Sequence, residues 1–152
     1  MRITAKADYA VRATIELAVA PPDVPVKGED LARAQGIPRN FLENILTELR
    51  RAGLVRSRRG AEGGYWLARP AAEISIADVL RAVEGPLAAV QGVRPDRLEY
   101  GGAAARLPVV WVALRASLRD VLEHVSVADV ARGELPAAIE RRTEDPDAWS
   151  DH

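Results

Sequence analysis

The stretch GEDLARAQGIPRNFLENILTELRRAG, residues 28–53, constrains the fold more than any other part of the chain. Residues 28–35 read as a short helix with Leu31 and Ala32 facing inward, and Gly36 breaks it. Ile37 plugs the turn, and Pro38 suits the first position of a second helix, where a missing N–H costs nothing. That second helix is expected to run to Ala52, with Leu42, Ile45, Leu46 and Leu49 on one side and Gly53 as its stop. Two helices joined by a short glycine-containing turn make a helix-turn-helix.

The same periodicity gives the second helix an opposite face: Arg39, Asn40, Glu43 and Thr47, grouped toward its N-terminus. Arginine can meet guanine, asparagine adenine, and glutamate the cytosine amino group. Polar outward faces are universal, however, so the helix alone leaves a solvated surface equally open.

The adjoining segment narrows the choice. RSRRGAEGGYWLARP, residues 56–70, places Arg56, Arg58 and Arg59 beside a glycine-rich tip, then returns through Tyr65, Trp66 and Leu67. A phosphate-cradling loop fails on spacing, because neither G-x-x-x-x-G-K-[ST] nor a strand–G-x-G-x-x-G–helix unit is present. A merely solvated turn does not need three arginines within four residues. A hairpin directly after a helix-turn-helix is a winged helix, and its arginines are then expected to contact nucleic acid. The return strand alternates, so one of Tyr65 and Trp66 should pack beneath the wing while the other faces outward.

Composition removes several chemistries. There is no cysteine, so thiolate nucleophiles, disulfides and cysteine-ligated metal sites are excluded. The only histidines are His124 and His152, and no nucleophile–base–orienter set appears. No catalytic residues, metal site or cofactor are therefore expected. Asp8, Arg12 and Glu16 interrupt any apolar N-terminal stretch, and no apolar run reaches the roughly 20 residues needed to span a bilayer. No membrane contact is expected, and the cytoplasm is the default location. The net charge of −1 conceals an asymmetry. Residues 1–70 hold 12 Lys+Arg against 8 Asp+Glu (+4), and residues 71–152 hold 9 against 14 (−5). The basic half is the one suited to polyanions.

Around this centre, residues 5–19 are expected to be helical, capped by Thr4 and stopped by Pro21 and Pro22, with Val11, Ile15 and Ala18 on the packing stripe. After Pro70 a short extended piece should lead into a helix capped by Ser75, with Ile76, Val79, Leu80 and Val83 on its apolar side and Gly85–Pro86 at its end. A winged helix-turn-helix domain is thus expected over 1–85, with a loop over 86–104. In LPVVWVALRASLRDVLEHV the apolar positions 107, 111, 114, 118, 121 and 125 alternate steps of four and three. A seam of this kind can pack on its own domain or on a second copy of the chain, and its length favours the second copy. The region 105–135 is read as a dimerisation element, in which VSVADVARGEL repeats the design of ISIADVLRAVE. His124 reads as solvated or locally bonded. Residues 136–152 read as a polar, disordered tail, with Trp149 docking weakly on the body at most.

Taken together, MRITAKADYAVRA, the block from Leu31 to Pro70 and ISIADVLRAVEGPL resemble the Rrf2 family of bacterial transcription regulators. The likeness is close over 1–87, looser to about 135, and does not reach the tail. It implies a homodimer with long crossing helices, a recognition helix in the major groove and a wing tip in the minor groove. Carried over by position, the base-reading acidic residue falls on Glu43 and the minor-groove arginine on Arg59. Sensor members of the family hold an iron–sulfur cluster through cysteines in the segment that here reads VQGVRPDRLEYGGAAARL, residues 90–107, without one cysteine. Asp8 matches an aspartate that ligates the cluster in the nitric-oxide sensor, and one carboxylate cannot hold a cluster. Asp8 is read as a helix-surface residue, and the cluster function is not carried over.

The expectation is a mainly α protein, a winged helix-turn-helix domain with a small β-hairpin plus a long C-terminal dimerisation helix, that binds double-stranded DNA as a homodimeric repressor at a palindromic operator. Arg39, Asn40 and Glu43 would read bases, Arg59 the minor groove, and Arg50, Arg51, Arg56 and Arg58 would neutralise phosphates. A small-molecule effector, in a pocket lined by Tyr9, Tyr100 and Trp111, or a partner protein stays open as the releasing signal. The rival reading is a winged-helix interaction scaffold without sequence-specific DNA binding.

Overall fold

Ala7, Ala10 and Ala13 let neighbouring helices approach the first helix, α1 (Ala5–Val19), closely enough to make it the centre of the molecule. The computed structural model describes residues 2–151. Thr4 caps α1 by accepting from the Ala7 amide at 3.0 Å. The buried stripe runs through Ala7, Ala10, Ala13, Thr14 and Leu17, and Thr14 returns its hydroxyl to the Ala10 carbonyl. Val11, Ile15 and Ala18, expected to form the packing stripe, are only half-buried at its flank. Small side chains took the closest contacts, which a sequence reading weighted toward large residues does not find.

The helix-turn-helix is built from α2 (Gly28–Gln35) and α3 (Arg39–Arg51). Pro38 is not the first helical residue. Its ψ of 129° is extended, so it stands at the cap and α3 begins one residue later. Leu42, Ile45, Leu46 and Leu49 are each at most 1% exposed. Burial of one such side chain is worth about 1.5–3 kcal/mol. The wing consists of β1 (Val55–Arg58) and β2 (Gly64–Leu67), antiparallel, with Arg56 opposite Trp66 and Ser57 opposite Tyr65.

Beyond Pro70 a 3-10 turn, Ala71–Glu73, comes first, and the expected extended piece is Ile74–Ser75, leading into α4 (Ile76–Glu84). Residues 86–104 are irregular apart from 3-10 turns at Pro95–Arg97 and Gly102–Ala104, and Pro95 is fully buried. The long helix is α5 (Leu107–Leu122), and Val125 lies beyond its end, buried rather than part of the helical seam. The chain then returns as α6 (Val127–Arg132).

The repeated segments ISIAD and VSVAD meet face to face. Each carries a serine–aspartate capping box, Ser75 with Asp78 and Ser126 with Asp129. The Ile76 amide donates to the Val125 carbonyl at 2.9 Å, and the Val127 amide to the Ile74 carbonyl at 2.8 Å. This local near-twofold accompanies the packing of both α4 and α6 on α1, and Val127 joins the core of the winged domain. Residues 136–151 carry local structure. Helix α7 (Ala137–Glu140) leads into 3-10 turns at Arg141–Thr143 and Pro146–Trp149, and Arg142 pairs with Asp120 of α5. Trp149 is 75% exposed and donates its indole N–H to the Thr143 carbonyl, so it closes a local turn instead of docking on the body. Among the described residues, no helix is long and apolar enough to cross a membrane.

Candidate nucleic-acid interface

The wing is fixed against the helix-turn-helix by a backbone bridge and by one side-chain hydrogen bond. The Val26 and Tyr65 amides each donate to the other's carbonyl at 2.8 Å, so Val26, two residues before α2, extends the hairpin by one bridge. That approach requires glycine at position 64: a Cβ there would stand 2.6 Å from the Val26 carbonyl oxygen, on a backbone with φ of 149°. Gly63 is equally confined, because a Cβ would lie 2.2 Å from the Arg58 carbonyl oxygen. On the other side of the joint, Arg50 near the end of α3 donates to the Ser57 hydroxyl at 3.1 Å.

These links hold a groove of about 630 Å³ between α3, the wing and the start of α2. Arg39, Glu43, Thr47 and Arg50 line it from α3, Arg58 and Arg59 from the wing, and Lys27 and Glu29 from the start of α2. Arg39 and Glu43 are two-thirds exposed and form an i,i+4 pair at 3.4 Å, so the acidic and basic candidates for base reading are presented together. The Arg59 side chain is exposed at the tip. Arg58 is partly committed: it donates to the Glu62 carbonyl at 3.0 Å and closes the wing turn.

Three of the expected residues lie off this groove. Asn40 is exposed on the adjoining strip of α3. Arg51 lines a shallow depression on the α1 side with Lys6, Phe41 and Asn44. Arg56, opposite Trp66 on the wing, borders a separate hollow with Arg50 and Arg69. Tyr65 packs against the core beneath the wing and Trp66 lines a hollow with Leu17 and Pro21, so neither aromatic is fully exposed.

Lys27 and Ser57 are additions that the sequence does not point to. The only signal for Lys27 is its place just before the first helix of the motif, and Ser57 shows none without the fold. Tyr9, expected at an effector pocket, instead packs edge-on to Phe41 at 6.1 Å with the Arg12 guanidinium 4.9 Å from its ring centroid.

The Rrf2 pattern, described as an iron-dependent transcriptional regulator, matches residues 3–133. The chain belongs to the Rrf2 family. It is 56% identical over 145 residues to Rv1287 of Mycobacterium tuberculosis, which carries the name of an HTH-type transcriptional regulator, covering 95% of this chain and 90% of that one. Among solved structures, CymR, the global cysteine regulator of B. subtilis, superposes with a TM-score of 0.72 at 32% identity, over 88% of this chain and 98% of its own. The T. potens IscR superposes with a TM-score of 0.71 at 29% identity, over 99% and 97%. The Rrf2 assignment makes this a winged-helix, DNA-binding transcription regulator and not an enzyme.

The iron chemistry in the family description does not fit these residues. A thiolate-held iron–sulfur cluster needs cysteines, and this Rrf2 protein has none. Among the described residues no three His, Asp or Glu side chains converge as metal ligands. Asp8 is engaged with Arg12 at 2.9 Å, and His124 Nδ1 lies 2.8 Å from the Asp120 carbonyl oxygen.

Proposed function

We propose that this protein is a homodimeric repressor that recognises a palindromic operator in the cytoplasm without an iron–sulfur cluster. The observation that carries the reading is the convergence of Arg39, Glu43 and Arg59 on one groove between recognition helix and wing. Arg39, Asn40 and Glu43 read base edges in the major groove, and Arg59 reads the width and potential of the minor groove. Arg50, Arg51 and Arg56 neutralise phosphates, and Arg58, with five donors on its guanidinium, serves both the wing turn and a phosphate. Dimerisation is supported by α5, whose Val109, Val110 and Val112 are 52%, 55% and 43% exposed although strongly apolar.

Selection of genomic fragments by the purified protein, followed by sequencing, tests the reading directly: a set of sites with twofold symmetry is expected. Arg59→Ala and Glu43→Ala should each cost about 1–3 kcal/mol on the selected site and blur discrimination. Arg51→Ala should weaken all sequences alike and lower the salt slope by about 1. Equal binding of selected and scrambled sites by Arg59→Ala and by the parent protein removes the wing from the reading. Steeply salt-dependent binding to random duplex, with no site enriched, favours an interaction scaffold.

A further inference from the structure

Helix α5 contains no buried residue, so packing alone holds it loosely against the winged domain. Its contacts run chiefly to the turn at Pro95–Arg97 and to α4. Besides the backbone bonds that tie Val125 and Val127, just beyond α5, to the start of α4, one side chain closes the joint with α4. Glu123, which caps the end of α5, accepts from Arg119 Nε at 2.9 Å and from the guanidinium of Arg81 on α4. Arg119 first, and then Arg81, holds this carboxyl down at about 2, against an ordinary 4.5. The α4 end of the joint is itself anchored. The Ser75 capping box fixes its start, and the Thr4 hydroxyl donates to Glu84, tying its end to the beginning of α1. A continuous series of directional contacts therefore runs from α1 through α4 and Arg81 to Glu123 and α5. Hydrogen bonds between ionised groups are short and geometrically demanding, which suits them to hold an angle.

We infer that Glu123, gripped by Arg81, is a positioning residue that sets the angle between each winged domain and α5, and thereby the half-site spacing the protein accepts. The inference rests on the dimeric DNA-binding reading above. Paired recognition helices must meet major-groove faces one helical turn, about 34–36 Å, or a multiple of it apart. One inserted base pair moves the second half-site about 3.4 Å along the duplex and about 35° around it. A stiff joint cannot follow that movement, whereas a loosened one can.

The test uses the full-length protein and a site recovered by genomic selection, remade with its spacer shortened or lengthened by one and two base pairs. Arg81→Met cuts the bond between α4 and α5 but keeps Arg119 on Glu123; Arg119→Met does the reverse. The parent and Arg119→Met should lose at least about tenfold in affinity per inserted base pair, the scale of one mismatched pair. Arg81→Met and Glu123→Gln should lose less than about threefold, with affinity for an isolated half-site unchanged. Should Glu123→Gln fail to fold, Arg81→Met decides. A spacing profile for Arg81→Met that overlays the parent's overturns the inference, and so does equal flattening by Arg119→Met, which would signal general loosening of α5. If the parent enriches no site at all, the DNA-binding reading itself fails, a result distinct from either.

Discussion

Helices α3 and α5 are both amphipathic and of similar length, yet they treat their apolar residues in opposite ways. On α3 four of the five large apolar residues, at 42, 45, 46 and 49, are at most 1% exposed, only Phe41 lying at the surface, and the polar side lines the groove. On α5 no residue is buried, and Val109, Val110 and Val112 face outward. The half-buried stripe through Trp111, Leu114 and Leu118 is the one turned toward the chain itself. The contrast separates an element that completes its own domain from one that leaves an apolar surface uncovered. It also explains why the anchoring of α5 is polar, through Glu123, where that of α3 is apolar.

The contrast can be broken most forcefully in the core. Leu46→Ala, at a fully buried site, should destabilise the fold by about 2–5 kcal/mol in chemical denaturation. Val112→Ala on α5 should cost the folded chain less than about 0.5 kcal/mol, yet weaken self-association in sedimentation. Comparable losses of fold stability from the two would show that α5 belongs to the domain's own core. At the wing, Gly64→Ala must force the Val26 backbone away, and about 1–3 kcal/mol of stability should go with it. The larger expected effect of that substitution is on site discrimination, since Arg59 loses its placement relative to α3.

The smallest effect sharpens the polar side of the comparison. Because the Glu123 carboxyl is held down at about 2, its contribution is complete above about pH 4.5 and is lost as the pH falls toward about 2. The melting temperature of the parent should therefore exceed that of Glu123→Gln near neutrality, and the two should converge on acidification through that window. A gap that stays constant with pH would mean that the Arg81 and Arg119 contacts do not stabilise the joint.

Much of the winged domain was legible because local chemistry and periodicity agree there. The α3 stripe, the stop at Gly53, the hairpin and the Ser75 cap each depend on residues within one or two turns of one another. The close packing of α1 was less legible, since Ala7, Ala10 and Ala13 carry a weak periodic signal beside Val11 and Ile15. The turns after residue 136 were hidden by a polar composition that resembles disorder, although the Asp145 side chain accepts from the Asp147 amide and Trp149 bonds to Thr143.

Residue type and short spacing were enough to determine the helix-turn-helix with its wing, the outward set Arg39, Asn40 and Glu43, and the exclusion of thiolate chemistry. The packed fold was needed to decide that Val26 pairs with Tyr65, that Lys27 shares a groove with Arg59, and that Arg81 reaches Glu123. Those contacts join residues 32 to 42 positions apart in the sequence, where no periodicity reports distance and only tertiary packing brings the residues together.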